Sequence, residues 1–128
     1  MAKSEAFPET FRILRGVLEK HRGRMIVVAD SPTDYSIASP DMVDRSGRPL
    51  FVAAVQIKKS YVSFHLMPVY VNPALCDSLS PSLRKRMQGK ACFNFVSIEP
   101  ADARELSALT KKGIAGFKNL DLPWARPV

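Results

Sequence analysis

Cysteine is scarce in this sequence: the 128 residues include two, Cys76 and Cys92. A disulfide scaffold needs several cysteines in a short chain, and a chain of this length can bury enough surface to fold without cross-links. The sequence also has no run of about 18 apolar residues, which excludes a membrane-spanning helix. Its first ten residues, MAKSEAFPET, lack the apolar stretch of a signal peptide. We therefore expect a cytoplasmic protein, without a membrane partner, whose thiols are reduced.

The composition is typical of one globular domain. Hydrophobic residues make up 46% of the chain and charged residues 24%, which argues against disorder. Internal repeats and low-complexity segments are absent. We expect a single domain over residues 1–116, followed by a loosely docked tail over residues 117–128 that Trp124 attaches to the domain.

Basic residues exceed acidic ones by 19 to 12, which gives a net charge of +7. Most of this excess lies between residues 58 and 90, where Asp77 is the one acidic residue. The basic residues of this segment, here called the basic cluster, are Lys58, Lys59, Arg84, Lys85, Arg86 and Lys90. Such a cluster attracts phosphates, other anions or an acidic protein surface. A solvated basic face without a partner is the alternative.

Three segments have the signals of helices. Apolar residues at helical spacing predict a helix over residues 8–22. A short helix is expected to begin after Ser80, whose side chain suits an N-cap, and to end at Gly89. A third helix is predicted over residues 101–112, with Gly113 as its cap. The apolar stripe of the first helix consists of Phe7, Phe11, Leu14 and Leu18.

Strands are predicted where β-branched and aromatic residues lie between turn residues. We expect five, at residues 25–29, 33–38, 50–57, 61–67 and 91–95. The first is expected to be largely buried, and the third and fourth are close enough to form a hairpin. Residues 39–49 are rich in turn residues and are predicted to be a loop. The pattern predicts an α+β fold, in which an antiparallel sheet of about five strands carries the N- and C-terminal helices on one face.

The strand at residues 61–67 has two unlike faces, because successive side chains point to opposite sides of a sheet. Val62, Phe64 and Leu66 form an apolar face that we expect to meet the helices. The other face, which we expect to be partly open to solvent, consists of Tyr61, Ser63, His65 and Met67. Tyrosine, serine and histidine on an open sheet can hydrogen-bond a small ligand or a protein loop. A structural role for His65 is the alternative.

Lys90 follows Gly89 at the predicted end of the short helix. This lysine can bind a phosphate or a carboxylate with help from Arg86, although an exposed lysine beside a capping glycine is the alternative. The candidate ligand-binding residues are therefore Tyr61, Ser63, His65, Arg84, Arg86 and Lys90. Nucleic acid is a less favoured partner, because aromatic residues are not interleaved with the basic ones.

The sequence contains no catalytic motif. His65 suits acid–base chemistry at neutral pH, but no carboxylate is close in sequence to orient it. A small enzyme that uses His65, with Tyr61 nearby in a pocket closed by residues 39–49, is an alternative. The soft metal ligands come from four distant segments: His21, His65, Cys76 and Cys92. We predict no catalytic residue, no metal site and no cofactor.

Two stretches, KSYVSFHL at residues 59–66 and GKACFNF at residues 89–95, resemble the YdhG-like family of small bacterial domains of unknown function. The resemblance extends over roughly residues 8–115: a strand, a short helix, a strand opened by Gly-Lys and a closing helix. It implies a frataxin-like α+β fold. Some relatives are described as iron chaperones, so iron delivery is an alternative function.

Frataxin-type iron binding depends on an acidic ridge along the first helix and strand, because iron prefers clustered carboxylates. Here Glu9, Glu19 and Asp30 lie among more numerous basic residues, which do not attract a cation. The function we favour is a non-enzymatic binding module for an anionic small molecule or an acidic protein, which uses the open sheet face and the basic cluster. Exposed sheet edges allow either a monomer or a homodimer.

Overall fold

The computed structural model describes residues 3–117 and 124–127. The helices are α1 (Phe7–His21), α2 (Met67–Val71), α3 (Pro81–Arg84) and α4 (Pro100–Phe117). The strands are β1 (Ile26–Asp30), β2 (Asp34–Asp44), β3 (Pro49–Ile57), β4 (Val62–Leu66), β5 (Met87–Gln88), β6 (Cys92–Phe95) and β7 (Ala125–Pro127). Two 3-10 turns cover Lys3–Ala6 and Pro73–Cys76. Within the described residues, no helix combines the length and apolar character that crossing a membrane requires.

All strands belong to one antiparallel sheet. Its order is β1–β2–β3–β4–β6–β5, and β7 pairs with the outer part of β2. The α+β class and the antiparallel sheet are confirmed, and so is the hairpin of β3 with β4. The sheet has seven strands instead of about five, because two very short segments, β5 and β7, extend ladders that the stronger strands begin.

One core receives side chains from the sheet and from both long helices. Val62, Phe64 and Leu66 of β4 are fully buried, as predicted. The helical residues in the same core include Phe7, Phe11, Leu14 and Leu18 of α1 and Leu106, Leu109 and Phe117 of α4. Since strand residues alternate in direction, the neighbours of the buried β4 residues point away from this core, toward the opposite face of the sheet.

The predicted loop at residues 39–49 is mostly strand. β2 continues to Asp44, and only a short turn separates it from β3; Gly47 in this turn has a φ of +84°. Proline is tolerated inside β2 because Pro40 lies where the ladder with β3 is interrupted, between Ala38 and Val43. The loop therefore does not close a pocket over His65.

The first strand was predicted to be largely buried, but β1 lies at the exposed edge of the sheet. Ile26 is 40% exposed and Val28 52% exposed, whereas Val27 packs against the core. A β-branched run predicts a strand but does not reveal whether a further strand will cover its edge.

The helix predicted to run to Gly89 is a single turn. Ser80 caps α3 as predicted, since its Oγ accepts a hydrogen bond from the Leu83 amide at 3.2 Å. The chain then forms β5 and pairs with β6, and Gly89, with a φ of +77°, lies in the turn between them. Met67, predicted on the open face of the fourth strand, instead begins α2 and packs against the core, because Pro68 suits the first turn of a helix.

α4 continues past Gly113, the predicted cap, to Phe117. A Cβ at position 113 would lie 3.0 Å from the Cβ of Pro68, so this glycine allows α2 and α4 to pack closely. Phe117, which the expected tail included, is the last residue of α4 and is buried. In the rest of the expected tail, the ring centroid of Trp124 lies 6.3 Å from that of Tyr70. Residues 118–123 and 128 of the predicted tail lie outside the described residues.

Truncation of the central core residue should be costly. Phe64→Ala is expected to lower the free energy of unfolding by about 3–5 kcal/mol, because the ring is completely buried. Val28→Ala on the exposed edge should cost less than about 1 kcal/mol. Urea unfolding of both variants measures the difference. A loss below about 1 kcal/mol for Phe64→Ala would mean that the faces of β4 are assigned the wrong way round.

Two glycines inside helices should respond to alanine with opposite signs. Gly16→Ala in α1 meets no atom within 4 Å and should stabilise the protein by up to about 1 kcal/mol. Gly113→Ala should destabilise it, because the new methyl group would press against the rigid ring of Pro68. Thermal and urea unfolding measure both changes. Equal stabilisation by both substitutions would show that α2 and α4 are less closely packed.

Candidate functional site

The open face of the sheet carries a groove of about 450 Å³ that side chains from β2 to β6 surround. This volume is within the range of small-molecule sites. Three predicted ligand-binding residues line the groove together: Tyr61, Ser63 and His65. The open face that the alternation along β4 predicted is therefore concave and not flat.

The strand register arranges the groove side chains in two rows. The first row consists of the cross-strand partners Gln56, Ser63 and Asn94. The second row consists of Ala54, His65, Cys92 and Gln88. The rows are two residues apart along each strand, which corresponds to about 7 Å. Hydrogen-bonding groups therefore dominate the first row, and the second row is more mixed.

Phe51 reaches the groove because β3 is irregular. Strict alternation would place Phe51 on the core face with Ala53. The ladder with β2 shifts its register between Ile37 and Ala38, so that Ala38 lies opposite Phe51 and Ile37 opposite Ala53. This bulge turns the phenyl ring toward the groove. The apolar pattern of the strand carries no sign of the bulge, so the sequence alone did not identify this residue.

His65 lies beside Phe51. Their ring centroids are 5.0 Å apart and the ring planes are tilted by 57°, a favourable aromatic contact. Burial lowers the pKa of His65, so the imidazole is neutral at neutral pH. Among residues 3–117 and 124–127, no carboxylate forms an ion pair with His65. The orienting group that acid–base catalysis requires is not supplied by this part of the chain.

Lys58 supplies the charge of the groove, and no acidic residue is among the described residues that line it. Burial raises the pKa of the Cys92 thiol, and the positive charge of Lys58 acts in the opposite direction. The Lys58 charge is therefore close enough to β6 to act on the thiol. In the described part of the chain Lys58 forms no ion pair. Its charge is available to an anion.

The other predicted basic residues lie outside the groove lining, and each has its own neighbour. The contacts are Arg84 Nη2 to Cys76 O at 2.6 Å, the Arg86 guanidinium carbon to the Phe95 ring centroid at 6.0 Å, and Lys90 Nζ to the Tyr70 ring centroid at 5.8 Å. The structure thus brings Tyr61, Ser63 and His65 together and disperses the three basic candidates. Of the basic cluster, Lys58 alone lines the groove.

Several groove residues were not identified from the sequence. Gln56 and Asn94 are polar residues at alternate positions of apolar strands, and this alternation was an available signal. Gln88 and Ser36 also line the groove. Gln88 was assigned to a helix, because the two-residue strand β5 exists only through its pairing with β6.

Each carboxylate of the first helix and the first strand forms an ion pair with one or two arginines. The pairs are Glu9 with Arg12, Glu19 with Arg15 and Arg22, and Asp30 with Arg15. Within the described ranges, no group of three or more histidine, cysteine, aspartate or glutamate side chains has the arrangement that holds a metal ion. Cys76 and Cys92 are free thiols.

A second cavity, of about 200 Å³, lies between the C-terminal ends of α1 and α4. His21 lines it, but its Nε2 is 2.7 Å from Ser107 Oγ. Arg24 lies 3.9 Å from Asp41 across the same cavity. Arg22 also lines this cavity and lies 3.7 Å from Glu19. Because each of these two arginines has a carboxylate neighbour, the groove on the sheet is the stronger candidate for an anion site.

Comparison of the chain with protein-family models, curated proteins and solved structures finds no match. The geometry of the groove is therefore the basis for a function. That geometry combines a single lysine, a row of neutral hydrogen-bonding groups and a pair of aromatic rings.

The lowered pKa of His65 predicts how the protein responds to acid. In an NMR titration the His65 ring should titrate below the ordinary value of 6.5. The unfolded chain then binds more protons than the folded chain, so the free energy of unfolding should decrease as the pH falls through this range. Burial lowers the pKa of His21 as well, so His65→Gln should reduce this decrease without abolishing it. A His65 midpoint at or above 6.5 would contradict the buried, uncharged environment.

Proposed function

We propose that this chain is a non-enzymatic binding module that holds a small anionic ligand in the groove on the open sheet face. The observation that carries the proposal is the charge balance of the lining: Lys58 is present and the described lining has no acidic residue. The side chains of Gln56, Ser63 and Asn94 add donors held in place by the sheet. An anion in this groove would exchange water for charge-assisted hydrogen bonds.

A small molecule is favoured over an acidic protein. The groove is concave and its charge is local, whereas Arg84, Arg86 and Lys90 face different neighbours. An acidic protein surface needs a continuous basic surface to match its charges. The dispersed residues contribute mainly by attracting anions from a distance.

Binding is favoured over catalysis for two reasons. The neutral His65 has no carboxylate partner in the described part of the chain, and burial keeps the Cys92 thiol protonated by raising its pKa. Neither residue is therefore activated as a base or a nucleophile. Iron delivery has no specific support, since the carboxylates of α1 and β1 are paired with arginines.

The relationship to the YdhG-like family and the frataxin-like arrangement remain proposals. The α+β class, the antiparallel sheet and the core that α1 and α4 share with it support them. A cytoplasmic location stays a prediction. The expectation of either a monomer or a homodimer stays one as well.

Substitution of Lys58 tests the proposed function. With inorganic phosphate as the probe at low salt, the side-chain amide NMR signals of Gln56 and Asn94 should shift in a saturable manner. Lys58→Gln should weaken this binding about tenfold or more, because it removes a charged hydrogen-bond donor. Added sodium chloride should weaken it as well.

Lys59→Gln is the matched control, since it removes the same charge from the neighbouring exposed residue outside the groove. It should leave the binding of phosphate nearly unchanged. Equal losses in the two variants would reduce the effect to general surface charge and refute the site. Shifts confined to residues outside the groove would refute it as well.

A further inference from the structure

The two ends of the groove differ in chemistry. The Lys58 end contains the ammonium group and the polar row that includes Gln56 and Asn94. The other end contains the rings of Phe51 and His65, whose centroids are 5.0 Å apart. These two rings provide a surface on which a flat, apolar group can lie.

The aromatic end continues toward the edge of the sheet. Phe51 lies opposite Ala38 of β2, and Ala38 lies opposite Ile26 of β1. Ile26 is 40% exposed, so the apolar surface is open to solvent on that side. Ala38, which lies between the two larger side chains, is 1% exposed, so Ile26, Ala38 and Phe51 form a continuous apolar strip beside the groove.

The spacing of the two ends limits the ligand. The row of Gln56 lies two residues, or about 7 Å, from the row of His65, and the backbone of Lys58 lies two residues further, about 13 Å from the row of His65. Lys58 provides one positive charge in the groove, which matches one anionic group. A ligand that uses both ends therefore has a flat ring roughly 7–13 Å from a single phosphate or carboxylate, since the long Lys58 side chain lines the groove between these two positions.

Two polar side chains in the row of His65, each two strands or about 10 Å from it at the backbone, favour a heterocycle over a plain aromatic ring. In the same row as His65, Ser36 lies next to Ala54 on one side, and Gln88 lies beyond Cys92 on the other. A hydroxyl group and a carboxamide group can both donate and accept hydrogen bonds. A ring with nitrogen and oxygen atoms at its edge would find partners there that a hydrocarbon ring cannot use.

We propose that the ligand of the groove is a planar heterocycle joined to one anionic group, which is the chemistry of a nucleoside monophosphate. The heterocycle lies against Phe51 and His65, and the phosphate lies near Lys58. This proposal rests on the proposed function and specifies the class of ligand that the groove selects.

Four probes separate the contributions of the ring and the phosphate. AMP contains both, ribose 5-phosphate lacks the ring, adenosine lacks the phosphate, and ADP adds a second phosphate. In calorimetric or NMR titrations at low salt, AMP should bind at least about fivefold more tightly than ribose 5-phosphate, as expected for one stacked base. AMP should also bind more tightly than adenosine and no less tightly than ADP. The ring protons of His65 should shift with AMP and not with ribose 5-phosphate.

Substitution of Phe51 provides the second test. Phe51→Leu should remove the advantage of AMP over ribose 5-phosphate and leave the affinity for ribose 5-phosphate unchanged, which also shows that the variant is folded. Tyr70→Leu is the matched control, because Tyr70 is an exposed aromatic residue outside the groove. It should retain the full advantage of AMP.

The outcomes distinguish the two proposals. If AMP and ribose 5-phosphate bind equally and both depend on Lys58, the heterocycle is refuted and the anion-binding function stands. If ADP binds more tightly than AMP, the assignment to a monophosphate is refuted. If Lys58→Gln leaves the binding of every anionic probe unchanged, the proposed function is refuted, and the inference with it.

Discussion

The pairing of β3 with β4 is the constraint on which the rest of the structure depends. In this hairpin Val55 lies opposite Phe64 on the core face, and Ala54 lies opposite His65 on the open face. The same register therefore determines both the core and the groove. A shift of one residue would move the phenyl ring of Phe64 into solvent and the imidazole of His65 into the core. The large cost of burying polar groups without partners makes such a shift unfavourable.

The groove owes its chemistry to departures from regular structure. The bulge between β2 and β3 brings Phe51 to the open face, and the short strand β5 adds Gln88 at the far side. Elsewhere a similar exception serves packing, since the absence of a side chain at Gly113 lets α4 approach Pro68. Of these features, the bulge is the one that turns a side chain to the face opposite to the one that regular alternation predicts.

The distribution of charge is more selective than the net charge suggests. Arginines of the first helix are paired with nearby carboxylates, as Arg12 is with Glu9 and Arg15 with Asp30. Such exposed pairs contribute little to stability, but they offset part of the positive charge of that surface. Lys58 instead lines a groove that contains neutral hydrogen-bonding groups. The functional meaning of a basic sequence thus depends on which positive charges lack a carboxylate neighbour in the fold.

Residue patterns predict the fold class, the central hairpin, the inward face of β4 and the first long helix, because these follow from periodicity over short distances. They also identify Tyr61, Ser63 and His65 as members of one face. Contacts between distant segments make this face concave, bring Phe51 to it and keep Arg84, Arg86 and Lys90 apart from it. Bulges, edge positions and two-residue strands form through contacts between distant segments, and a local pattern contains no record of those contacts.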